Sequence, residues 1–88
     1  MKRIGVIGAV LEKPMHSQAA FNETVASFRN IIKGRMGIPF DDEDVSVVSL
    51  TVMGELDEIN ALTGKLGSIP NISVKTALNA QKDSEAGQ

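Results

Sequence analysis

The stretch from Gly54 to Thr76, GELDEINALTGKLGSIPNISVKT, predicts one helix, a sharp stop and a returning strand. Its apolar residues recur at three- and four-residue spacing, which places them on one helical face; they are Leu56, Ile59, Leu62 and Leu66. Gly67 and Pro70 predict the stop, with Gly67 in a left-handed cap. The alternation from Ile72 to Leu78 is typical of a half-buried strand.

Charges and a glycine inside this helix add two expectations. The carboxylates of its first turn suit the positive end of the helix dipole, and Lys65 suits the other end; these carboxylates are Glu55, Asp57 and Glu58. Gly64 lies mid-helix, where glycine costs about 1 kcal/mol relative to alanine. It is either a tolerated small residue or a point where a neighbouring backbone comes close.

Length and composition favour one small globular domain. The chain has 88 residues, of which 42% are hydrophobic and 23% charged, the balance of an ordinary soluble protein. It has no cysteine, which excludes disulfides, thiolate metal sites and cysteine nucleophiles. The net charge is −2 and no basic run occurs, so we expect no direct nucleic-acid binding.

The N-terminal half predicts a strand, a helix and a short edge strand. The apolar run from Ile4 to Leu11 is too short for a membrane span of about 20 residues, so we expect a buried strand over Arg3–Leu11 and a cytoplasmic protein. Residues 12–16 form a loop, and Ser17 is the expected N-cap of a helix that ends near Gly34. Residues 35–40 then fit an edge strand, where proline is tolerated.

An acidic turn and a second strongly apolar strand connect this half to the organising helix. Residues 41–44, DDED, form the turn, and residues 45–53 form a strand with apolar side chains on both faces. After Leu78 the sequence becomes polar and aperiodic. We therefore expect an ordered domain over residues 1–78 and a disordered tail over residues 79–88.

The element order predicts an α+β, ferredoxin-like βαββαβ sandwich, with a four-stranded antiparallel sheet and two helices on one face. Right-handed crossovers place strands one and three at the centre, where we expect them to be parallel, and strands two and four at the edges. The second face of the sheet then carries one exposed apolar row from each central strand. Such a patch usually marks an interface, so we expect a homodimer or homotetramer.

Two motifs, RMGIPF (residues 35–40) and GKLGSIPNISVKT (residues 64–76), resemble the family of small proteins called iron-only hydrogenase system regulators. The specific positions are Arg35, Gly37 and Pro39, then Gly64, Lys65, Leu66, Gly67, Ile69, Val74 and Lys75. The resemblance extends from Arg3 to Leu78. It implies an ACT-like fold, similar to the regulatory domain of nickel-responsive repressors, and a regulatory role.

ACT-like domains resemble one another in binding small effectors at the subunit interface, near the first strand–helix loop. Here that loop contains Glu12, His16 and Ser17, where free backbone N–H groups would favour an anion or a carboxylate. Arg35 and Lys65 could hold an anionic or amino-acid-like effector, Arg35 through a bidentate fork. The alternative is that these residues bind no ligand: Glu12, His16, Arg35 and Lys65 would be ordinary surface side chains, and Ser17 would cap the helix.

Catalysis, metal binding and cofactor binding are disfavoured. Gly5 and Gly8 lie inside a strand and lack the spacing of a nucleotide loop. His16 is the only histidine; it is either a solvated loop residue or a residue that meets its symmetry mates in an oligomer. The acidic turn lacks the spaced ligands of a calcium loop, and no catalytic triad or paired carboxylate is recognisable. We expect no enzyme, no metal and no cofactor.

Two hypotheses of function remain. The first is an oligomeric regulator that binds a small effector and acts on a protein partner. The second is an oligomeric scaffold without a ligand. A DNA-binding repressor is disfavoured, because nickel-responsive repressors carry a ribbon-helix-helix region and this sequence begins directly at strand one.

Overall fold

A computed structural model describes residues 2–80 and contains four strands and two α-helices. In chain order they are β1 (Lys2–Glu12), α1 (Pro14–Ser27), β2 (Ile32–Phe40), β3 (Val45–Glu55), α2 (Leu56–Gly67) and β4 (Ile72–Leu78). A 3-10 turn, Asp41–Glu43, joins β2 to β3 at the predicted acidic segment. Within residues 2–80, neither helix has the length and apolar character needed to cross a membrane.

The sheet has the strand order β2-β3-β1-β4, with every neighbouring pair antiparallel. The predicted α+β βαββαβ architecture and the predicted central and edge strands are therefore confirmed. The prediction that strands one and three run parallel was wrong. The crossover through α1 makes β2 parallel to β1 and leaves room for one strand between them. The tight turn after β2 then places β3 in this gap, where it is antiparallel to both neighbours.

One face of the sheet and both helices form the core. Alternate residues of β1 and β3 are buried, as expected for strands with one covered face. The buried apolar side chains are Ile7, Ala9, Leu11, Phe21, Val25, Ile31, Val48, Leu50, Val52, Ile59, Leu62, Leu66 and Ile72. The helical spacing of Ile59, Leu62 and Leu66 therefore predicted the buried face of α2 correctly, whereas Leu56, predicted on the same face, is 38% exposed at the first position of the helix.

Helix α1 begins earlier and ends earlier than its sequence predicts. It starts at Pro14 after Lys13, which has a φ of 51°, so Ser17 is not the N-cap. Proline suits the first helical position because its fixed φ matches the helix and it has no N–H to leave unpaired. The helix ends at Ser27, not near Gly34, because Ile31 is buried and Ile32 pairs with Val52 of β3.

Helix α2 agrees with its prediction at the start and differs at the end. Glu55 and Glu58 form a capping box, in which each side chain accepts a hydrogen bond from the other's backbone N–H. Gly67 is the last helical residue and does not take the left-handed cap; the left-handed residue is Asn71, with a φ of 71°. No atom lies within 4 Å of the position that a Gly64 Cβ would occupy, so Gly64 is a tolerated small residue.

Asn79 attaches the end of β4 to the start of β1. Its backbone N–H donates to the Ile4 carbonyl at 2.8 Å, and its Oδ1 accepts from the Ile4 N–H at 3.0 Å. The Arg3 guanidinium donates to the Asn79 carbonyl at 2.8 Å through Nη2. Asn79, the first residue of the predicted tail, is therefore hydrogen-bonded to β1. Residues 81–88 of that tail lie outside the described residues.

Alanine substitutions at Gly5 and Gly64 test this packing, because the two glycines have different surroundings. A Cβ on Gly5 would meet the Ala77 carbonyl oxygen and lie 3.2 Å from Leu78 Cα, where backbone must move to make room. We expect Gly5→Ala to lower the free energy of unfolding by about 1–3 kcal/mol. The matched variant Gly64→Ala should raise it by about 0.5–1 kcal/mol, because open space surrounds a helical position. Urea unfolding measures both, and equal effects of the two variants would contradict this packing.

Candidate functional site

The junction between β1 and α1 is a tightly bonded turn. Ser17 is fully buried, and its Oγ lies 3.1 Å from the Glu12 carbonyl oxygen, to which it donates. The N–H groups of His16 and Ser17 both donate to the Lys13 carbonyl, and Pro14 has no N–H. Most of the helix-start donors expected to bind an anion are therefore already used within the chain.

Three residues with left-handed backbone gather at this end of the sheet. Lys13, Asp44 and Asn71 have φ values of 51°, 55° and 71°. The Lys13 N–H donates to the Asp44 carbonyl at 3.0 Å, and the Glu12 N–H donates to the Asn71 carbonyl at 2.8 Å. Lysine rarely adopts this conformation, which costs about 1–2 kcal/mol for residues with a Cβ. The turns after β1, before β3 and before β4 are thus hydrogen-bonded to one another. Each of them contains a residue whose left-handed backbone is strained.

Glu12 and His16 are exposed and belong to different surfaces. Glu12 is the last residue of β1 and pairs with Val45, on the side of the sheet away from the helices. His16 lies in the first turn of α1. Within residues 2–80, no three His, Asp or Glu side chains come close enough together to hold a metal ion.

Arg35 and Lys65 each lie over an aromatic ring. The Arg35 guanidinium is 5.4 Å from the centre of the Phe21 ring, and its Nη2 donates to Asn22 Oδ1 at 2.7 Å. The Lys65 ammonium is 5.6 Å from the centre of the Phe28 ring. Phe21 lies within α1 and Phe28 is the cap residue after its last turn, seven positions or roughly 10 Å further along the axis, so the two rings hold the two cations apart.

A surface groove of about 260 Å³ lies between the start of α1 and the turn after β2. Its walls include Pro14, Met15 and Gln18 on one side and Pro39, Asp41 and Asp44 on the other. It adjoins the predicted loop, but Glu12, His16 and Ser17 are not among its lining residues. Two carboxylates make this groove unfavourable for an anion and favourable for an amino group.

The largest uncovered feature is the sheet face away from the helices, which we call the open face. The sequence predicted exposed apolar rows on β1 and β3, and β1 does carry exposed Ile4, Val6 and Val10 there. The structure adds a third row from β2 that the sequence analysis missed: Met36, Ile38 and Phe40. Their alternation with Gly37 and Pro39 is the period-two signal that could have revealed it.

Fold and open face define a ferredoxin-like, ACT-like βαββαβ protein with one uncovered side of its sheet. A family model described as "Iron-only hydrogenase system regulator, putative", the TM1266-like family, matches residues 3–76. The chain belongs to this family. The solved structure of the uncharacterized protein TM1266 from Thermotoga maritima is 31% identical, with a TM-score of 0.87 over 91% of this chain and 100% of that one. The resemblance stated from the two sequence motifs is thereby confirmed.

More distant structures share the fold alone. SnoaB, a cofactor-independent oxygenase from Streptomyces nogalater, is 14% identical, with a TM-score of 0.57 over 93% of this chain and 95% of that one. The C-terminal domain of the MgtC protein from Mycobacterium tuberculosis is 13% identical, with a TM-score of 0.59 over 88% and 87%. No curated protein matches the chain significantly in sequence.

The ring and amide contacts of Arg35 give this residue a measurable structural role. Arg35→Met keeps the apolar stem but loses the cation over Phe21 and the hydrogen bond to Asn22. We expect the free energy of unfolding to fall by about 0.5–1.5 kcal/mol. The control is Lys33→Met on the same edge strand, because the Lys33 side chain has no such contact within residues 2–80. Urea unfolding compares the two, and a loss no larger than the control's would contradict the role.

Proposed function

We propose that this chain is a homo-oligomeric regulatory protein of the cytoplasm, without catalytic activity of its own. It takes up a small effector at the subunit interface and passes that state to a protein partner. The open face is the observation that carries the proposal, because an exposed apolar patch of this kind usually marks an interface. Membership of a family described as regulators supports the regulatory part.

The chemistry near the β1–α1 turn favours an amino-acid-like effector over a purely anionic one. The groove beside this turn is lined by Asp41 and Asp44, which would attract an ammonium group. A carboxylate on the same effector would need a cation, and Arg35 or Lys65, which lie on the helix side of the sheet as the groove does, is the candidate to supply it. The strained turn at Lys13 supports a site at this end, since left-handed non-glycine residues cluster at functional sites.

Self-association is tested by light scattering on the purified chain. We expect the mass of a dimer or tetramer at micromolar concentration, because the open face is too apolar to remain in water. A monomer across that range would contradict the oligomeric part of the proposal.

Effector binding is tested by thermal unfolding in the presence of amino acids, simple carboxylates, nucleotides and divalent metals. A ligand at about 100 times its dissociation constant stabilises the folded state by roughly 2.7 kcal/mol. For a domain of this size each kcal/mol moves the unfolding midpoint by about 4–8 °C, so a true effector should raise it by about 10 °C or more. We expect the largest shift from a compound that carries both an ammonium and a carboxylate group.

Two variants connect such a shift to the residues discussed above. Asp44→Asn should reduce the shift if the groove binds the ammonium, and Arg35→Met should reduce it if the guanidinium binds the carboxylate. Lys33→Met is the control and should leave the shift unchanged. No shift with any compound class would contradict effector binding and favour the oligomeric scaffold.

A further inference from the structure

We propose that a second copy of this chain covers the open face over β2, β3 and β1, while β4 stays outside the contact. This inference rests on the proposed homo-oligomer and names its interface. We call these three rows of side chains the β2–β3–β1 patch. Its exposed members are Met36, Ile38 and Phe40 on β2, and Ile4, Val6 and Val10 on β1.

The two outer rows of the β2–β3–β1 patch are apolar, and the middle row on β3 carries the uncharged hydroxyls of Ser49 and Thr51 between apolar side chains. Met36, Ile38 and Ile4 are 62%, 48% and 52% exposed, values unusual for side chains of this size. Between the two outer rows, β3 contributes Val47 beside Ile38 and Met53 beside Ile4. The charged residues that β1 places on the open face, Lys2 and Glu12, lie at the two ends of the strand. A partner surface therefore needs no charge to match the middle of this patch.

The fourth strand bounds the patch with polar side chains. On the open face β4 presents Ser73, Lys75 and Ala77, which pair with Val10, Gly8 and Val6 of β1. Burying the Lys75 ammonium against apolar side chains without a partner charge would be costly. The interface therefore ends at β1 on this side, and Lys75 remains at its rim.

The patch has its centre on β3, at Ser49. Met36 of β2 lies on one side of Ser49, and Gly8 of β1 lies on the other. Along β3, Val45 and Val47 extend toward one end and Thr51 and Met53 toward the other. A dimer with two-fold symmetry needs one patch that meets itself. An axis near Ser49 satisfies this, because apolar rows lie on both sides of it.

The size of the patch fits a second copy. Three strands about 4.8 Å apart and about nine residues long, at roughly 3.3 Å each, span about 400 Å² in projection. Side-chain relief enlarges the accessible area, so two copies together would bury on the order of 1,000 Å², the size that a specific interface needs. A patch of this area is also near the upper limit of what monomers expose.

A cross-linking experiment tests the position of the interface. The chain has no cysteine, so a single introduced thiol reacts alone. Two copies of Ser49→Cys would face each other across the axis, and oxidation by diamide should join the two thiols in a disulfide, giving a covalent dimer. Ser73→Cys is the matched control, because Ser73 also lies on the open face but on β4, away from the centre. We expect several times more cross-linked dimer from Ser49→Cys.

Light scattering on a second pair of variants provides an independent readout. Ile38→Lys places a charge within the β2–β3–β1 patch at a position already 48% exposed, so the monomer should still fold and the oligomer should dissociate. Ser73→Lys adds the same charge on β4 and should leave the oligomer intact. Far-ultraviolet circular dichroism checks that both variants keep the fold.

The outcomes separate this inference from the proposed function. Preferential linking of Ser49→Cys, with dissociation of Ile38→Lys alone, supports the interface. An oligomer that links through Ser73→Cys, or that survives Ile38→Lys, overturns the interface while the homo-oligomer stands. A monomeric wild-type chain overturns both and leaves the open face to a different protein.

Discussion

Two helices can cover only one face of a four-stranded sheet, and the open face of this chain follows from that limit. The central strands β1 and β3 carry apolar side chains on both faces, as in sheets covered on both sides. The helix-side residues form a complete core, with Phe21, Ile59 and Leu66 fully buried against Ile7 and Leu50. The residues on the other face have no covering layer within a single copy, so the open face remains exposed to solvent there.

The sequence predicts most of this fold because periodicity and topology act together. Alternating apolar residues predict β1 and β3. The spacing of Ile59, Leu62 and Leu66 predicts α2, and Pro70 predicts where this helix has ended. The boundaries of α1 could not be predicted in this way. Local signals placed the cap at Ser17 and the end near Gly34, but Ser17 and Ile31 are drawn into the core, and tertiary packing overrides local preference.

The candidate site was less predictable, since a charge in a sequence does not show what it touches. Arg35 and Lys65 looked like free cations, but each lies over a phenylalanine, Phe21 or Phe28. Ser17 was predicted to be an N-cap, but its side chain is buried and its hydroxyl donates to the Glu12 carbonyl. The missed row on β2 has a different cause. A proline-containing edge strand was expected to end the sheet, so its alternation was not interpreted as a surface.

The fold alone does not decide between regulator and enzyme, because SnoaB, an oxygenase, shares it at 14% identity. The two possibilities place the chemistry in different parts of the molecule. Catalysis typically takes place in a cavity with convergent polar groups, and the groove beside α1 presents polar side chains from Gln18, Ser46 and two aspartates. The open face has the opposite character, being broad, apolar and free of charge at its centre. Exposed apolar surfaces of that kind usually mark contacts with other proteins, which is the physical ground for the second copy proposed on this face.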